Sequence, residues 1–256
     1  MRKEVETVKI LIAGESWITL STHLKGFDFF MNADFGGGAD KIIDSLKESG
    51  NQVNYLPNHE ASRRFPQTRD ELEKYDVVML SDIGANTLLL HPDTFSRSQR
   101  TPNRLKLLAD WVREGGGLAM IGGYLTFQGI YGAGCWHETP VEDVLPVTLR
   151  PNDDRVEVPE GFNPLAISQH PILEGLPTQW PYFLGYNKTV ARDDSQVLMT
   201  AGDQGDPFLA VRQLGAGRTA AFTSDCAPHW GSTEFYEWEH YSRFWIQLSE
   251  WLAKQR

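Results

Sequence analysis

Four apolar, β-rich runs in this chain each end in a short polar segment, and those segments hold most of the side chains that could do chemistry. Val8 to Ala13 leads into Gly14-Glu15-Ser16-Trp17, with His23 shortly after, and Gln52 to Leu56 leads into Pro57-Asn58-His59. Val77 to Leu80 runs into Ser81-Asp82-Ile83-Gly84-Ala85-Asn86, and Leu118 to Ile121 into Gly122-Gly123-Tyr124. A later segment adds Thr223-Ser224-Asp225 and Pro228-His229-Trp230. Asp225 and His229, four apart in a Pro-containing loop, suit a general acid–base pair. Glu15 and Asp82 are further carboxylate candidates. Ser16, Trp17, His23, Asn86, Tyr124 and Trp230 are candidate ligand contacts, and the backbone N–H groups of Gly122 and Gly123 are candidates to hold an anion or oxyanion. Two thiols complete the set: Cys135, next to Trp136-His137, and Cys226, three residues before His229.

The same residues also fit structural roles. Glu15 and Ser16 suit a helix start, Asp82 and Asn86 a turn, and His23 and His59 a loop. The glycine pair suits a tight turn, and each cysteine a small buried hydrophobe. His23, His59, His137 and His229 with Asp82 and Asp225 are metal-ligand types, but no HxxxH, HxH or CxxC spacing is present, so no metal is expected. Nothing in the chain calls for a cofactor.

These residues need a scaffold, and the periodicity supplies one. Ala39, Ile42, Ile43 and Leu46 lie on one helical face that Gly50 stops. Thr68 to Lys74 reads as a short helix. Leu105, Leu108, Ala109 and Val112 form the buried face of another, with Thr101 as N-cap, Pro102 at the first helical position and Gly115 to Gly117 as its end. The segment between Gly14 and Ala39 reads as a Gly- and Phe-rich loop. Strand and helix thus alternate four times, which implies a parallel sheet with right-handed crossovers and helices on both faces. In such a sheet ligands bind outside the carboxyl ends of the strands, so the polar segments share one mouth. From about Pro146 the rhythm turns to strands: Val156 to Val158, Gln196 to Met199, and a hairpin of Phe208 to Val211 with Arg218 to Phe222. A final helix carries Trp238, Tyr241, Trp245, Leu248 and Leu252. Residues 1–256 read as one domain.

The chain has 256 residues, 41% hydrophobic and 23% charged, which suits a folded globule. Its formal net charge of −10 argues against nucleic-acid and anionic-membrane partners. No apolar stretch reaches the roughly 20 residues that span a bilayer. The charged start, Met1 to Thr7, is unlike a signal peptide, and two cysteines suit a reduced compartment, so a cytoplasmic location is expected.

Five segments together carry a family resemblance. They are Lys9 to Trp17, Tyr75 to Gly84, Glu114 to Tyr124, His170 to Pro177, and Gly215-Ala216-Gly217-Arg218 with Thr223-Ser224-Asp225. The chain resembles the putative glutamine amidotransferase family, a branch of the class I glutamine amidotransferase-like superfamily. More distantly it is similar to trehalose-utilisation proteins and to the trimerisation domain of β-galactosidases. The resemblance implies a three-layer α/β/α flavodoxin-like fold with a mostly parallel sheet and an antiparallel C-terminal extension. Class I enzymes attack glutamine with a Cys on a sharp turn after a central strand, helped by a downstream His and Glu. Here that turn is Gly122-Gly123-Tyr124, and Pro228-His229 with Glu234 and Glu237 does not reproduce the His-Pro-Glu order.

Two functions follow: a hydrolase- or transferase-type enzyme for a small polar metabolite, or a non-catalytic ligand-binding or homo-oligomerisation module. A glutaminase in the family's usual sense is not expected. Incubated with glutamine, the protein should release no ammonia above a protein-free blank. Sustained release would place a nucleophile outside the turn.

Overall fold

Successive side chains of Lys9–Gly14 (β1) go to opposite faces: Ile10 and Ile12 join one hydrophobic core, Leu11 and Ala13 the other. A strand buried on both sides needs a layer above and below it. The computed structural model, which describes residues 7–256, supplies both layers. All of the charged N-terminal stretch except Thr7 therefore lies outside the described residues.

After β1 comes a long hairpin, β2 (Ser16–Lys25) and β3 (Asp28–Gly37), then α1 (Asp40–Glu48), β4 (Gln52–Leu56), α2 (Asn58–Arg64), α3 (Arg69–Leu72) and β5 (Val77–Ser81). Helices α4 (Ala85–Leu89), α5 (Pro92–Arg97) and α6 (Arg104–Arg113) lead to β6 (Gly117–Ile121). Next are β7 (Val147–Thr148), β8 (Arg155–Phe162), β9 (Leu165–Ala166), β10 (Phe183–Asn187) and β11 (Val190–Ala191). The chain closes with β12 (Gln196–Ala201), β13 (Asp206–Leu214), β14 (Gly217–Phe222), α7 (Thr233–Tyr236) and α8 (Tyr241–Leu252).

Eight strands form one sheet in the order β4-β1-β5-β6-β14-β13-β12-β9. The first five are mutually parallel and the last three continue antiparallel. This is the expected flavodoxin-like α/β arrangement, with one parallel strand more than the alternation implied: β14 lies beside β6 and brings the late loop into the main sheet. Ile42, Ile43 and Leu46 of α1 pack with Tyr241, Phe244, Trp245 and Leu248 of α8 in one core. Leu105, Leu108, Ala109 and Val112 of α6 pack in the other.

Two readings are corrected. The Gly- and Phe-rich segment is not a loop but the β2–β3 hairpin, paired from Ser16↔Gly37 to Lys25↔Asp28. Gly26 in its turn and Gly36 to Gly38 at its base interrupt the β-prone residues and obscure the strand signal. The N-cap of α6 is Asn103, not Thr101: its side-chain oxygen accepts from Lys106 N–H at 3.0 Å, and Pro102 precedes the cap. The Thr101 hydroxyl is instead 2.7 Å from that of Thr94. Asn ranks above Thr as a helix cap. Asn103→Ala should therefore lower the unfolding free energy by about 1 kcal/mol in urea titrations. Thr101→Ala should change it by less than about 0.5 kcal/mol.

Candidate active site

Four adjacent parallel strands, β1, β5, β6 and β14, release Glu15, Asp82, Gly122-Gly123 and Asp225 at the same, carboxyl-terminal end of the sheet. Glu15 and Asp82 directly follow their strands in the left-handed region, with φ of 48° and 42°. Strained non-glycine residues of this kind cluster at functional sites. Gly14 makes the first turn possible: its φ is +110°, and a Cβ there would lie 1.9 Å from the Ser81 carbonyl oxygen. That close approach lets Glu15 N–H donate to Ser81 O at 2.6 Å.

The Glu15 carboxylate is buried and accepts the Ser81 hydroxyl at 2.5 Å. Burial, then the charges of Asp225 and Asp82, push its pKa up from 4.5 to about 8. Asp82 accepts the Leu125 N–H at 2.8 Å, and burial followed by the Asp225 charge lifts it from 3.8 to about 6. Burial also raises Asp225, which accepts from His229 Nδ1 at 2.6 Å and from Trp230 N–H at 3.0 Å. His229 is 43% exposed at its side chain. Burial lowers its pKa, but the Asp225 hydrogen bond and charge outweigh that, and the net shift is upward. These carboxylates cannot all be ionised near neutrality.

Around the dyad stands an aromatic wall. The Tyr124 ring meets His229 edge-on at 4.3 Å and Trp230 at 5.6 Å. Tyr124 hydroxyl and Trp230 Nε1 both donate to Glu157, at 3.1 and 2.9 Å. The Arg155 guanidinium lies 5.2 Å from the Tyr124 ring centre.

The glycine turn does not provide the expected anion cradle. Gly122 N–H donates to Phe222 O at 2.8 Å and Gly123 N–H to Asn187 Oδ1 at 3.1 Å, so both donors already have acceptors. Nor is there room for a side chain where amidotransferases carry their cysteine. A Cβ on Gly123, at φ +147°, would lie 2.8 Å from Asp82 Oδ1 and 2.9 Å from Asp225 Oδ1. Carboxylate oxygens thus fill the nucleophile's place, within about 6 Å of each other, where like charges raise each other's pKa.

Other expected residues stand apart from this cluster. His23 lies far out on the hairpin, stacked on Phe30 at 4.4 Å, about 23 Å beyond Ser16 at the usual strand rise. Cys135 is exposed, with its thiol 3.5 Å from Gly132 O, and Asn86 is exposed in the first turn of α4. Trp17 covers Gly36 on the hairpin. Ser16 ties loops together: its hydroxyl accepts Asn58 N–H at 2.8 Å, and Asn58 Nδ2 donates to the carbonyls of Ser16 and Asp82. Cys226 is fully buried, and burial and then Glu15 hold its thiol well above its ordinary pKa, so it is no thiolate nucleophile. Among the described residues no group of three or more His, Cys, Asp or Glu side chains is placed to hold a metal ion.

Sequence reasoning missed Asn187, Asp154 and Glu157. Asn187 ends β10 and clamps Gly123 from both sides, with Nδ2 3.2 Å from Gly123 O and 2.8 Å from Asp154 Oδ1. Asp154 in turn accepts the N–H groups of Gln128 and Gly129, each at 2.8 Å. No motif marks these residues, because their partners lie 25 or more positions away. An acidic or amide residue at the boundary of a strand was the one available signal.

A family model described as "Putative glutamine amidotransferase" matches residues 9–254. The chain belongs to that family. Cytoplasmic protein STM1381 from Salmonella typhimurium LT2 is 43% identical with a TM-score of 0.91, over 95% of this chain and 99% of that one. Cytoplasmic protein STM3548 from Salmonella typhimurium is 41% identical, also at 0.91, over 96% and 99%. A β-galactosidase from Bacillus circulans sp. alkalophilus is 15% identical with a TM-score of 0.50, over 84% of this chain and 26% of its own. That likeness is one of fold alone. No functionally curated protein matches the chain.

The raised carboxylates set a pH dependence. Between pH 4.5 and about 8 the folded protein keeps a proton on Glu15 that the unfolded chain has released. Stability therefore falls as pH rises through that window, and Asp82 adds a loss of the same sign between 3.8 and about 6. Glu15→Gln should melt higher than the wild type at pH 8.5, by on the order of 5 °C, and nearly level with it at pH 4.5. Equal melting temperatures at both pH values would show Glu15 to be ionised at no cost.

Proposed function

We propose that this protein is an acid–base enzyme of hydrolase or transferase type, working without a cysteine on a small polar metabolite that is neutral or cationic. The observation that supports it most is the 2.6 Å contact between a half-exposed His229 and a buried Asp225. Asp225 accepts a hydrogen bond from Nδ1–H, fixes the tautomer and ring orientation, and stabilises the imidazolium. Nε2 is thereby left to exchange a proton with a substrate hydroxyl, amine or attacking water. The imidazolium so formed then returns the proton to a leaving group, and the Asp82 charge beside it helps to stabilise that cation.

The preference for a neutral or cationic substrate follows from charge. Asp82, Asp225 and Glu157 converge on this mouth, the Arg155 cation is already paired with Asp153 and Glu157, and the turn's N–H groups are occupied. A phosphate or carboxylate would meet repulsion, whereas hydroxyl or ammonium groups would find acceptors and the faces of Tyr124 and His229 to stack on. A cytoplasmic setting is supported by the description of both Salmonella relatives as cytoplasmic proteins. No helix among the described residues is long and apolar enough to cross a membrane.

A thermal-shift screen of sugars, polyols, amino sugars and amines should raise the melting temperature of the wild type. Hits then serve as substrates in turnover assays. His229→Ala should cut turnover by at least about 100-fold. The acid limb of the rate profile should lie above pH 6.5, where the raised His229 loses its proton, and Asp225→Asn should move it lower. Ligands that bind without turnover would place the chain among non-catalytic modules of this fold. If anionic metabolites stabilise the protein and neutral or cationic ones do not, the reading fails.

A further inference from the structure

The β2–β3 hairpin extends from the body with one side unlike the other. Residues directly opposite in an antiparallel pair share a face. Ile18↔Phe35, Leu20↔Ala33, Thr22↔Met31 and Leu24↔Phe29 therefore make one face, apolar but for Thr22. The other face carries Thr19↔Asp34, Ser21↔Asn32, His23↔Phe30 and Lys25↔Asp28. An amphipathic sheet of this kind lays its apolar face on a core. Among the described residues nothing covers that face: Leu20, Leu24, Phe29, Met31 and Phe35 keep 60–77% of their surface exposed, and Phe27 at the tip keeps all of it. A two-stranded hairpin with nothing against it is at best marginally stable in water.

We propose that this face packs against the same face of a second copy of the chain, related by a two-fold axis, with the two arms antiparallel. Three observations single out a second copy. The face offers roughly 1,000 Å² of exposed apolar residue surface, against the about 800 Å² per partner of a stable interface. A two-fold axis across the middle of a roughly 30 Å arm brings each tip over the base of the other. At that base lies a cavity of about 610 Å³. Ile18, Ala33 and Phe35 from the apolar face line it together with Tyr55, Pro57 and His59 from the body.

Phe27 and Leu24 of each copy are the groups that would fill the other's cavity. Gly26, at φ 68°, closes the two-residue turn that presents Phe27. Tyr55 connects this cavity to the carboxylate site, since its hydroxyl donates to Gly14 O at 3.0 Å and is 3.3 Å from Glu15 O. The partner's tip thus braces the turn that holds Glu15.

Light scattering of the full chain at micromolar concentration should give twice the 28.9 kDa chain mass. The double variant Leu24→Asp/Phe29→Asp should give a single chain mass with unchanged far-UV circular dichroism. In a Cys135→Ser background, Phe27→Cys with His59→Cys tests the register. Within one chain these positions are about 27 Å apart along the arm, far beyond disulfide reach, so only two chains can be joined. Mild oxidation should give a covalent dimer, and Phe27→Cys alone should not. A monomeric wild type overturns the proposal, as does a dimer that survives the aspartates and forms no cross-link. A monomer that floats with phosphatidylcholine vesicles assigns the face to lipid instead and overturns it equally.

Discussion

The arrangement depends on a desolvation constraint: several carboxylates leave neighbouring strand ends into a space with too little water to ionise them all. Glu15 and Asp225 are almost wholly buried, burial raises the proton affinity of both, and the Asp225 charge raises that of Glu15 further. A site of this kind stores protons at neutral pH. His229 is the member that meets solvent. The same constraint makes the site costly to the fold, since every ionisation inside it works against burial. The Ser81 hydroxyl and the N–H groups of Leu125 and Trp230 offset part of that cost by hydrogen bonding.

Membership of a glutamine amidotransferase family raises the question of what replaces its nucleophile. The turn keeps the geometry of a strand-to-loop elbow but spends its contents differently. Asn187, reaching in from a small separate sheet, occupies the Gly123 N–H, and Asp82 occupies that of Leu125. Donors that serve an oxyanion in acyl transfer serve internal acceptors in this protein. The volume of the missing side chain is filled by carboxylate oxygens. One fold can host such different chemistries because the strands set only where residues emerge, not which residues they are.

The hairpin shows the same division between local pattern and global context. Its residues alternate between a mainly apolar and a mainly polar face, yet among the described residues no layer lies against the apolar one. The base of the arm adjoins the Glu15 turn through Tyr55 and Ser16, so arm and site are mechanically continuous.

Local pattern was enough for the four strands β1, β4, β5 and β6 of the sheet, though not for β14 beside them. Apolar runs such as Val77 to Leu80 can be satisfied only between two layers, and the order of strands and helices then forces a parallel core with its polar segments at one end. That is why Glu15, Asp82, Asp225 and His229 were legible as neighbours from spacing alone. Tertiary structure decided what spacing does not encode: that Asn187 closes the glycine turn, that Asp82 and Asp225 occupy the place of a nucleophile, and that His23 is carried away on an arm. The physical reason is range. Burial periodicity acts over a few residues and is written along the chain, whereas a hydrogen bond or a shared proton depends on angstrom-scale distances between residues tens to hundreds of positions apart.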